Sequence, residues 1–292
     1  MSAKSRGEWR QNIIEYSKIL KLPVIRTRLE EHAEDALQRE VCYEEFLSRL
    51  LQEECDARSE SAQKNRLRLA EFPQKKYLED LSLIDLPEDA RTKLKQLKTL
   101  AFIAEGRNII MAGNPGTGKS HLATGLGIKA CLEGYRVWFT TVPILVNRLK
   151  ESRSQQILRA FQNRFEKYDL VIADEMGYIS FDREGAELLF THLSLRAGNK
   201  STIITSNLSF DRWNEVFHDP VMTAAMVDRL TYKAYLINMN GNSYRMKETK
   251  NWLTQHQSNT NEKKYERKKR RIQEKGISDL YLLLGLILNT TF

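Results

Sequence analysis

The stretch Gly113-Asn-Pro-Gly-Thr-Gly-Lys-Ser120 matches the pattern G-x-x-x-x-G-K-[ST] in full. Glycines at these positions let a backbone loop curl closely around the phosphates of a nucleotide. An apolar run at 108–112 precedes the loop, and a helical stretch from His121 to Cys131 follows it. Strand, loop and helix in this order are the context that the motif requires, so the segment predicts a phosphate-binding loop.

The residue types of the loop suit a triphosphate bound with magnesium. Inward-facing backbone N–H groups and the N-terminus of the next helix supply positive partial charge. Lys119 is expected to reach the β- and γ-phosphates, and the Ser120 hydroxyl to bind Mg²⁺. The predicted cofactors are therefore ATP and Mg²⁺. The predicted nucleotide-binding residues are Gly113, Asn114, Pro115, Gly116, Thr117, Gly118, Lys119, Ser120 and His121.

Two acids, Asp174 and Glu175, follow the apolar run that begins at Leu170. A buried strand would bring Asp174 to the phosphates, where it can order the Mg²⁺ shell. Glu175 is then placed to orient or deprotonate the attacking water. A lone acidic pair after a strand usually lies in a solvated loop, but the phosphate loop upstream favours the catalytic interpretation. The pair also favours ATP hydrolysis over a small-molecule kinase.

The fold class predicted is α/β, a parallel sheet sandwiched by helices, because short apolar runs alternate with helical segments. These runs cover residues 108–112, 136–140, 170–174, 202–205 and 235–239. The fourth run ends in polar residues. If its strand lies between those carrying the two motifs, Thr205 or Asn207 would face the γ-phosphate. Capping of the next helix by Asn207 or Ser209 explains the same residues equally well.

Three regions of the chain differ in residue pattern and charge. The sequence pattern predicts a small all-helical N-terminal domain at residues 1–75, with a linker near 70–90. The ATPase domain is predicted at residues 76–252. Residues 253–292 predict a flexible tail that is basic and then apolar. Eight of the basic residues and only three acids lie between Glu262 and Lys275, so most of the net charge of +8 belongs to this tail. Positive charge favours nucleic acid as a partner.

Membrane and secretory functions are not expected. The longest apolar run, Tyr281 to Leu288, is much shorter than the roughly 18 residues of a membrane span. The first residues carry no signal-peptide pattern. The three cysteines lie far apart and form no metal-ligand pattern. A cytoplasmic protein without membrane contact is the resulting expectation.

Five stretches together resemble the AAA+ ATPases of the DnaA/DnaC branch, and most closely the IstB family, the ATP-binding helpers of insertion-sequence transposition. The similarity covers roughly residues 15 to 252, and its specificity comes from the order and spacing of the stretches. They are residues 113–123, 173–178, 205–207, 227–230 and 241–245.

The resemblance implies more than the residues alone do. Asn207 would sense the γ-phosphate. Arg229 would be an arginine finger that enters a neighbour's site, although a surface salt bridge with Asp228 is the alternative from local sequence. The catalytic residues predicted are thus Lys119, Glu175, Asn207 and Arg229, with Asp174 and Ser120 at the metal. Arg245 lies in a matching stretch and is assigned no role beyond a contact with phosphate or at a subunit interface.

The resemblance further implies a ring or helical oligomer, no C-terminal lid domain, and partners that include duplex DNA and a transposase. DNA would lie on a helical insertion, 145–168, without sequence preference. A solvated helix face explains the same charge equally well. The basic residues in question are Arg148, Lys150, Arg153, Arg159, Arg164 and Lys167.

Two other functions remain open from the sequence. A replicative-helicase loader of the DnaC type would share nearly the same catalytic core, and the partner of residues 1–75 would distinguish it. A small-molecule P-loop kinase is disfavoured because the segments that would bind its second substrate are missing and Asp174 is followed by Glu175.

Overall fold

The computed structural model describes residues 3–253. The predicted tail, from residue 254 onward, lies outside this range. The α-helices of the described part are α1 (Ala3–Ile19), α2 (Pro23–Gln38), α3 (Tyr43–Leu69), α4 (Glu88–Leu97), α5 (Ala101–Ala104), α6 (Lys119–Leu132), α7 (Val142–Ser154), α8 (Leu158–Phe165), α9 (Arg183–Arg196), α10 (Asn214–Phe217) and α11 (Pro220–Thr231). The strands are β1 (Ile109–Ala112), β2 (Val137–Thr141), β3 (Leu170–Met176), β4 (Ser201–Ser206) and β5 (Tyr235–Asn238).

All five strands are parallel, in the order β2-β3-β4-β1-β5. Each coincides with one of the predicted apolar runs to within two residues at either end. The strand β4 lies between β1 and β3, which is the arrangement that brings its polar end to the phosphate loop. The predicted parallel α/β sheet is therefore confirmed.

Side chains of successive strand residues point to opposite faces of the sheet, and each face has its own core. Ile109, Met111 and Ile172 pack in a core with α3 to α6. Ile110 and Val171 pack in a second core with α7 to α11. Both faces are thus covered by helices, which explains why the strand sequences are apolar throughout rather than alternating.

The helices α1 to α3 form the N-terminal part and pack onto the sheet through α3. Glu54 of α3 is buried and accepts hydrogen bonds from the backbone N–H groups of Val24 and Ile25, at the start of α2. At the other end of α3, Arg66 donates to the Cys131 carbonyl at 2.8 Å. The backbone N–H of Phe139 in β2 donates to the carbonyl of residue 70 at 2.8 Å.

The predicted linker near 70–90 is packed against the sheet. Ala70, Leu78 and Leu86 are at most 4% exposed and belong to the first core. A 3-10 turn, Leu78–Asp80, shapes this segment. The sequence of this segment has no regular period of apolar residues, so the burial of these side chains depends on tertiary contacts.

After β5 the described chain continues as a helical segment, residues 244–253. No helix within residues 3–253 is both long enough and apolar enough to cross a bilayer.

Arg196, at the end of α9, is 1% exposed and joins three elements. Its guanidinium donates to the carbonyls of Phe165, Tyr168 and Ser201 at 2.9 to 3.0 Å. Burial lowers its pKa to about 10, so it stays protonated at neutral pH. The end of α8, the turn after it and the start of β4 are therefore held by one side chain.

We expect Arg196→Ala to lower the free energy of unfolding by about 3 kcal/mol or more, since it leaves buried carbonyl groups without donors. Arg183→Ala on the same helix is the control, because Arg183 is 88% exposed and its ion pair with Glu187 should contribute under about 1 kcal/mol. Urea unfolding of both variants measures the difference. Equal loss in the two variants would contradict the role given to Arg196.

Candidate functional site

The loop between β1 and α6 turns sharply at the carboxyl edge of the sheet. Gly116 and Gly118 have φ values of 79° and 93°, in the left-handed region that glycine tolerates. A side chain on Gly116 would also overlap the hydroxyl of Ser243. The backbone N–H of Tyr244 donates to the Gly116 carbonyl at 2.9 Å. The chain after β5 therefore packs directly on the loop.

Lys119 begins α6 inside this loop and is 7% exposed. Its Nζ donates to the carbonyls of Gly113 and Asn114, each at 2.7 Å. Burial, together with the charge of Arg245, lowers its pKa to about 8, and Asp174 acts in the opposite direction. An ammonium group short of solvation is suited to bind an incoming anion such as a phosphate.

The two acids sit on a β-bulge of β3. Ala173 pairs with Ile204 and Met176 pairs with Ser206, so Asp174 and Glu175 together oppose one residue of β4. Neighbours on a regular strand point to opposite faces, and a bulge re-aims one of them. Glu175 accordingly has a φ of 67°. Its side chain lines the same cavity as the phosphate loop.

Asp174 lies close to the helix that follows the loop. It is 5% exposed, and its Oδ1 accepts a hydrogen bond from the Ser120 hydroxyl at 3.0 Å. A hydroxyl and a carboxylate are oxygen donors of the kind that Mg²⁺ prefers, with phosphate and water completing its shell. No group of three or more His, Cys, Asp or Glu side chains within residues 3–253 could hold a metal without such help. The pair therefore fits Mg²⁺ brought in with a nucleotide.

Glu175 has the protonation behaviour of a candidate base. Burial, and then the charge of Asp174, raise its pKa above the ordinary value, while Arg245 opposes the shift. A carboxylate with a raised pKa accepts a proton from water more readily. The geometry and the electrostatics therefore agree on the same residue.

Lys119, Ser120 and Glu175 line a cavity of about 420 Å³, which is within the usual size range of small-molecule sites. Its walls include Asn207 from the end of β4, and His121, whose Nε2 lies 2.9 Å from the Tyr77 carbonyl. Of the predicted site residues, Gly116 to His121, Glu175 and Asn207 line this cavity, whereas Gly113, Asn114, Pro115 and Asp174 do not. Arg245 also lines the cavity, where a phosphate contact is within its reach.

One wall comes from residues that sequence reasoning missed altogether. Leu81, Asp85 and Leu86 line the cavity beside Tyr244 and Glu248. The segment 241–245 is one of the stretches that resemble the family, so its sequence could have indicated a place at the site. Residues 76–86 contain no motif. Their contribution depends on long-range packing against α6.

Arg229 lies apart from the cavity of its own chain. It is exposed at the end of α11, and its guanidinium lies 5.2 Å from the centre of the Phe190 ring. Within the described residues it forms no ion pair with Asp228 or another acid. The structure therefore leaves its side chain accessible and does not bring it to the loop.

The predicted basic surface is partly neutralised within the chain. Arg148 pairs with Glu71 at 3.0 Å and lies over the Trp138 ring. Two further pairs join α7 to the start of α9. They are Lys150 with Asp182 at 2.7 Å and Arg153 with Glu184 at 3.5 Å.

The other three basic residues of the insertion belong to α8 and the turn after it. Arg159, Arg164 and Lys167 are exposed, and in the described part of the chain none of them pairs with an acid. Only three of the six basic side chains in the predicted DNA-binding surface are therefore free of an acid partner in the described part of the chain.

Residues 16–251 match the sequence family described as IstB-like ATP binding protein. A Geobacillus stearothermophilus protein, named as an ATP-binding protein of insertion sequence IS5376, is 35% identical over 239 residues, which are 82% of this chain and 95% of that one. A Pseudomonas aeruginosa protein, named as an ATP-binding protein of insertion sequence IS21, is 36% identical over 229 residues, 78% of this chain and 86% of the relative.

Among solved structures, a DNA replication initiation factor superposes with a TM-score of 0.50 and 22% identity. The match covers 63% of this chain and 55% of that chain, so the factor is considerably longer than the matched part. At this identity the similarity supports the fold alone.

We expect Lys119→Ala to weaken binding of a fluorescent triphosphate nucleotide by about 10- to 100-fold, the usual value of a charge-assisted contact. Lys129→Ala is the matched control, since Lys129 lies on the same helix and pairs at the surface with Glu133. Fluorescence titration of both variants gives the two dissociation constants. Undiminished affinity in Lys119→Ala would contradict the assignment of the loop to the nucleotide-binding site.

Proposed function

Because the chain belongs to the family of IstB-like ATP binding proteins, we propose that it is an AAA+ ATPase that assembles on duplex DNA and assists a transposase. The observation that supports the ATPase part is the cavity lined by Lys119, Ser120 and Glu175, with Asp174 bonded to Ser120 directly behind its wall. The insertion-sequence names of the relatives support the transposition part.

The proposed chemistry assigns one task to each group. Lys119 leaves the loop carbonyls to hold the β- and γ-phosphates, and the amide of Asn207 contacts the γ-phosphate. Glu175 accepts a proton from the attacking water, whose oxygen bonds to the γ-phosphorus as the bond to ADP breaks. Ser120 and Asp174 would hold Mg²⁺, which neutralises charge on the phosphate oxygens when bound.

Self-association is part of the proposal because of Arg229. This side chain is exposed and remote from its own cavity, so it can act only in a neighbour's site. A guanidinium there would stabilise the charge that develops on the phosphoryl group. Hydrolysis would then depend on a ring or helical assembly.

DNA contact is proposed for the accessible basic residues of the insertion. Arg159, Arg164 and Lys167 could bind phosphates without reading bases, which gives affinity but no sequence preference. Arg148, Lys150 and Arg153 would first have to leave their acid partners. ATP would favour the DNA-bound assembly, and hydrolysis would release or remodel it.

The first test uses Glu175→Gln protein, because it should bind ATP and hydrolyse it very slowly. We expect ATP and duplex DNA of arbitrary sequence together to produce a large particle by light scattering. Raising the salt from about 50 to 200 mM should weaken its formation by more than tenfold, since DNA contacts release counterions. Lys119→Ala protein is the control and should stay small.

If DNA changes neither the particle mass nor the ATPase rate of the unmodified protein, DNA-dependent assembly is contradicted. The helicase-loader function then becomes the better account, and binding of a replicative helicase by the chain is the next measurement. The ATP site itself would be unaffected by that outcome.

We expect Arg229→Ala to bind ATP normally but hydrolyse it on the order of 10³-fold more slowly, as for other arginine fingers. Mixing it with Lys119→Ala protein should restore part of the turnover, because each variant supplies what the other lacks. Arg183→Ala, another exposed arginine, serves as the control and should behave as unmodified protein. Mixtures that never regain activity would contradict a finger acting between subunits.

A further inference from the structure

Thr205, near the end of β4, joins the two acids of the site through one oxygen atom. Its hydroxyl accepts a hydrogen bond from the backbone N–H of Glu175 at 3.0 Å. The same hydroxyl donates to Oδ1 of Asp174, which also accepts from Ser120. Thr205 is only 2% exposed, and it lies in the wall of the cavity beside Glu175.

The bulge on β3 explains why such a residue is needed. Asp174 and Glu175 share Thr205 as their one opposite residue, so the regular ladder cannot serve both backbones. A buried N–H without a partner is unfavourable, and the hydroxyl of Thr205 supplies that partner. Glu175 also has a φ of 67°, which residues other than glycine adopt only where their surroundings hold them.

A hydroxyl is suited to this double task. It has one donor hydrogen and two acceptor lone pairs, so it can accept from an N–H and donate to a carboxylate together. Valine has the same shape as threonine and can do neither, whereas serine retains both capacities. Substitution by valine and by serine therefore distinguishes the effect of side-chain shape from the effect of hydrogen bonding.

We propose that Thr205 is a positioning residue for ATP hydrolysis, which holds the Glu175 backbone in its bulged conformation and fixes the Asp174 carboxylate beside Ser120. This inference rests on the proposed ATPase function. The Thr205 hydroxyl bonds to both acidic residues. Thr205 therefore affects the rate of hydrolysis through Glu175 and the affinity for magnesium through Asp174. Its contribution to nucleotide affinity without metal is small.

The experiment compares Thr205→Val with Thr205→Ser, and uses Thr202→Val as the matched control. Thr202 is a fully buried threonine at the opposite end of β4, so it tests the same substitution away from the site. Turnover, KM, thermal unfolding and the affinity for a fluorescent ATP analogue are measured. The affinity is taken in magnesium and again in EDTA.

We expect Thr205→Val to lower kcat on the order of 10²-fold, the effect of a small displacement of catalytic groups. Its affinity in EDTA should stay within about threefold of the unmodified protein, because a hydrogen bond not made to the nucleotide contributes nothing there. The gain in affinity on adding magnesium should shrink. Thr205→Ser and Thr202→Val should retain both turnover and the magnesium gain.

Three outcomes would overturn the inference. Normal turnover and a normal magnesium gain in Thr205→Val would show that the hydroxyl is dispensable. Equal loss in Thr205→Ser would assign the effect to the methyl group. Loss of affinity in EDTA by the folded Val variant would make Thr205 a nucleotide contact instead.

Two further comparisons keep the test decisive. If Thr205→Val does not fold by thermal unfolding, Thr205→Ala replaces it in the comparison with serine, because it also lacks the hydroxyl and has less bulk. Absence of ATP hydrolysis by the unmodified protein would overturn the proposed function. In that case the magnesium gain still tests the link from Thr205 to Asp174.

Discussion

Burial of the Asp174 carboxylate is the constraint on which the site depends. A buried charge is tolerated only when hydrogen bonds and opposite charges compensate its lost hydration. Here Ser120 and Thr205 donate to it, and Lys119 supplies the nearby positive charge. These partners come from α6 and β4, so both must lie next to the end of β3. The strand order, with β4 between β3 and β1, meets that requirement.

The cavity is not built by the sheet and its loops alone. One wall comes from the segment after α3 and another from the helical segment 244–253, and the ion pair between Asp85 and Lys247 at 2.6 Å joins them. The first segment leads directly back to the N-terminal helices. A nucleotide in the cavity would therefore contact both the segment that follows these helices and the end of the described chain. If the N-terminal helices bind partners in the proposed function, these contacts would link them physically to ATP.

Features set by local sequence were predictable, and features set by long-range contacts were not. The phosphate loop and the five strands follow from glycine positions and apolar runs within short windows. The bulge at Glu175 depends on how β3 pairs with β4, and nothing near Glu175 in the sequence marks it. The same holds for the ion pairs that occupy Lys150 and Arg153, whose acid partners lie some thirty residues away.

The charges of the cavity suggest a reason why ATP hydrolysis would depend on the proposed oligomer. The walls carry three lysine or arginine side chains and four aspartate or glutamate side chains, with buried Asp174 close behind them. Lys247 offsets the charge of Asp85 among these acids, but a triphosphate adds several negative charges, of which Mg²⁺ would offset only part. Further positive charge near the phosphates would stabilise the charge that develops as the γ-phosphoryl group departs. Arg229 does not line its own cavity and is exposed at the end of α11, so in the proposed oligomer it would supply positive charge to the site of a neighbouring subunit.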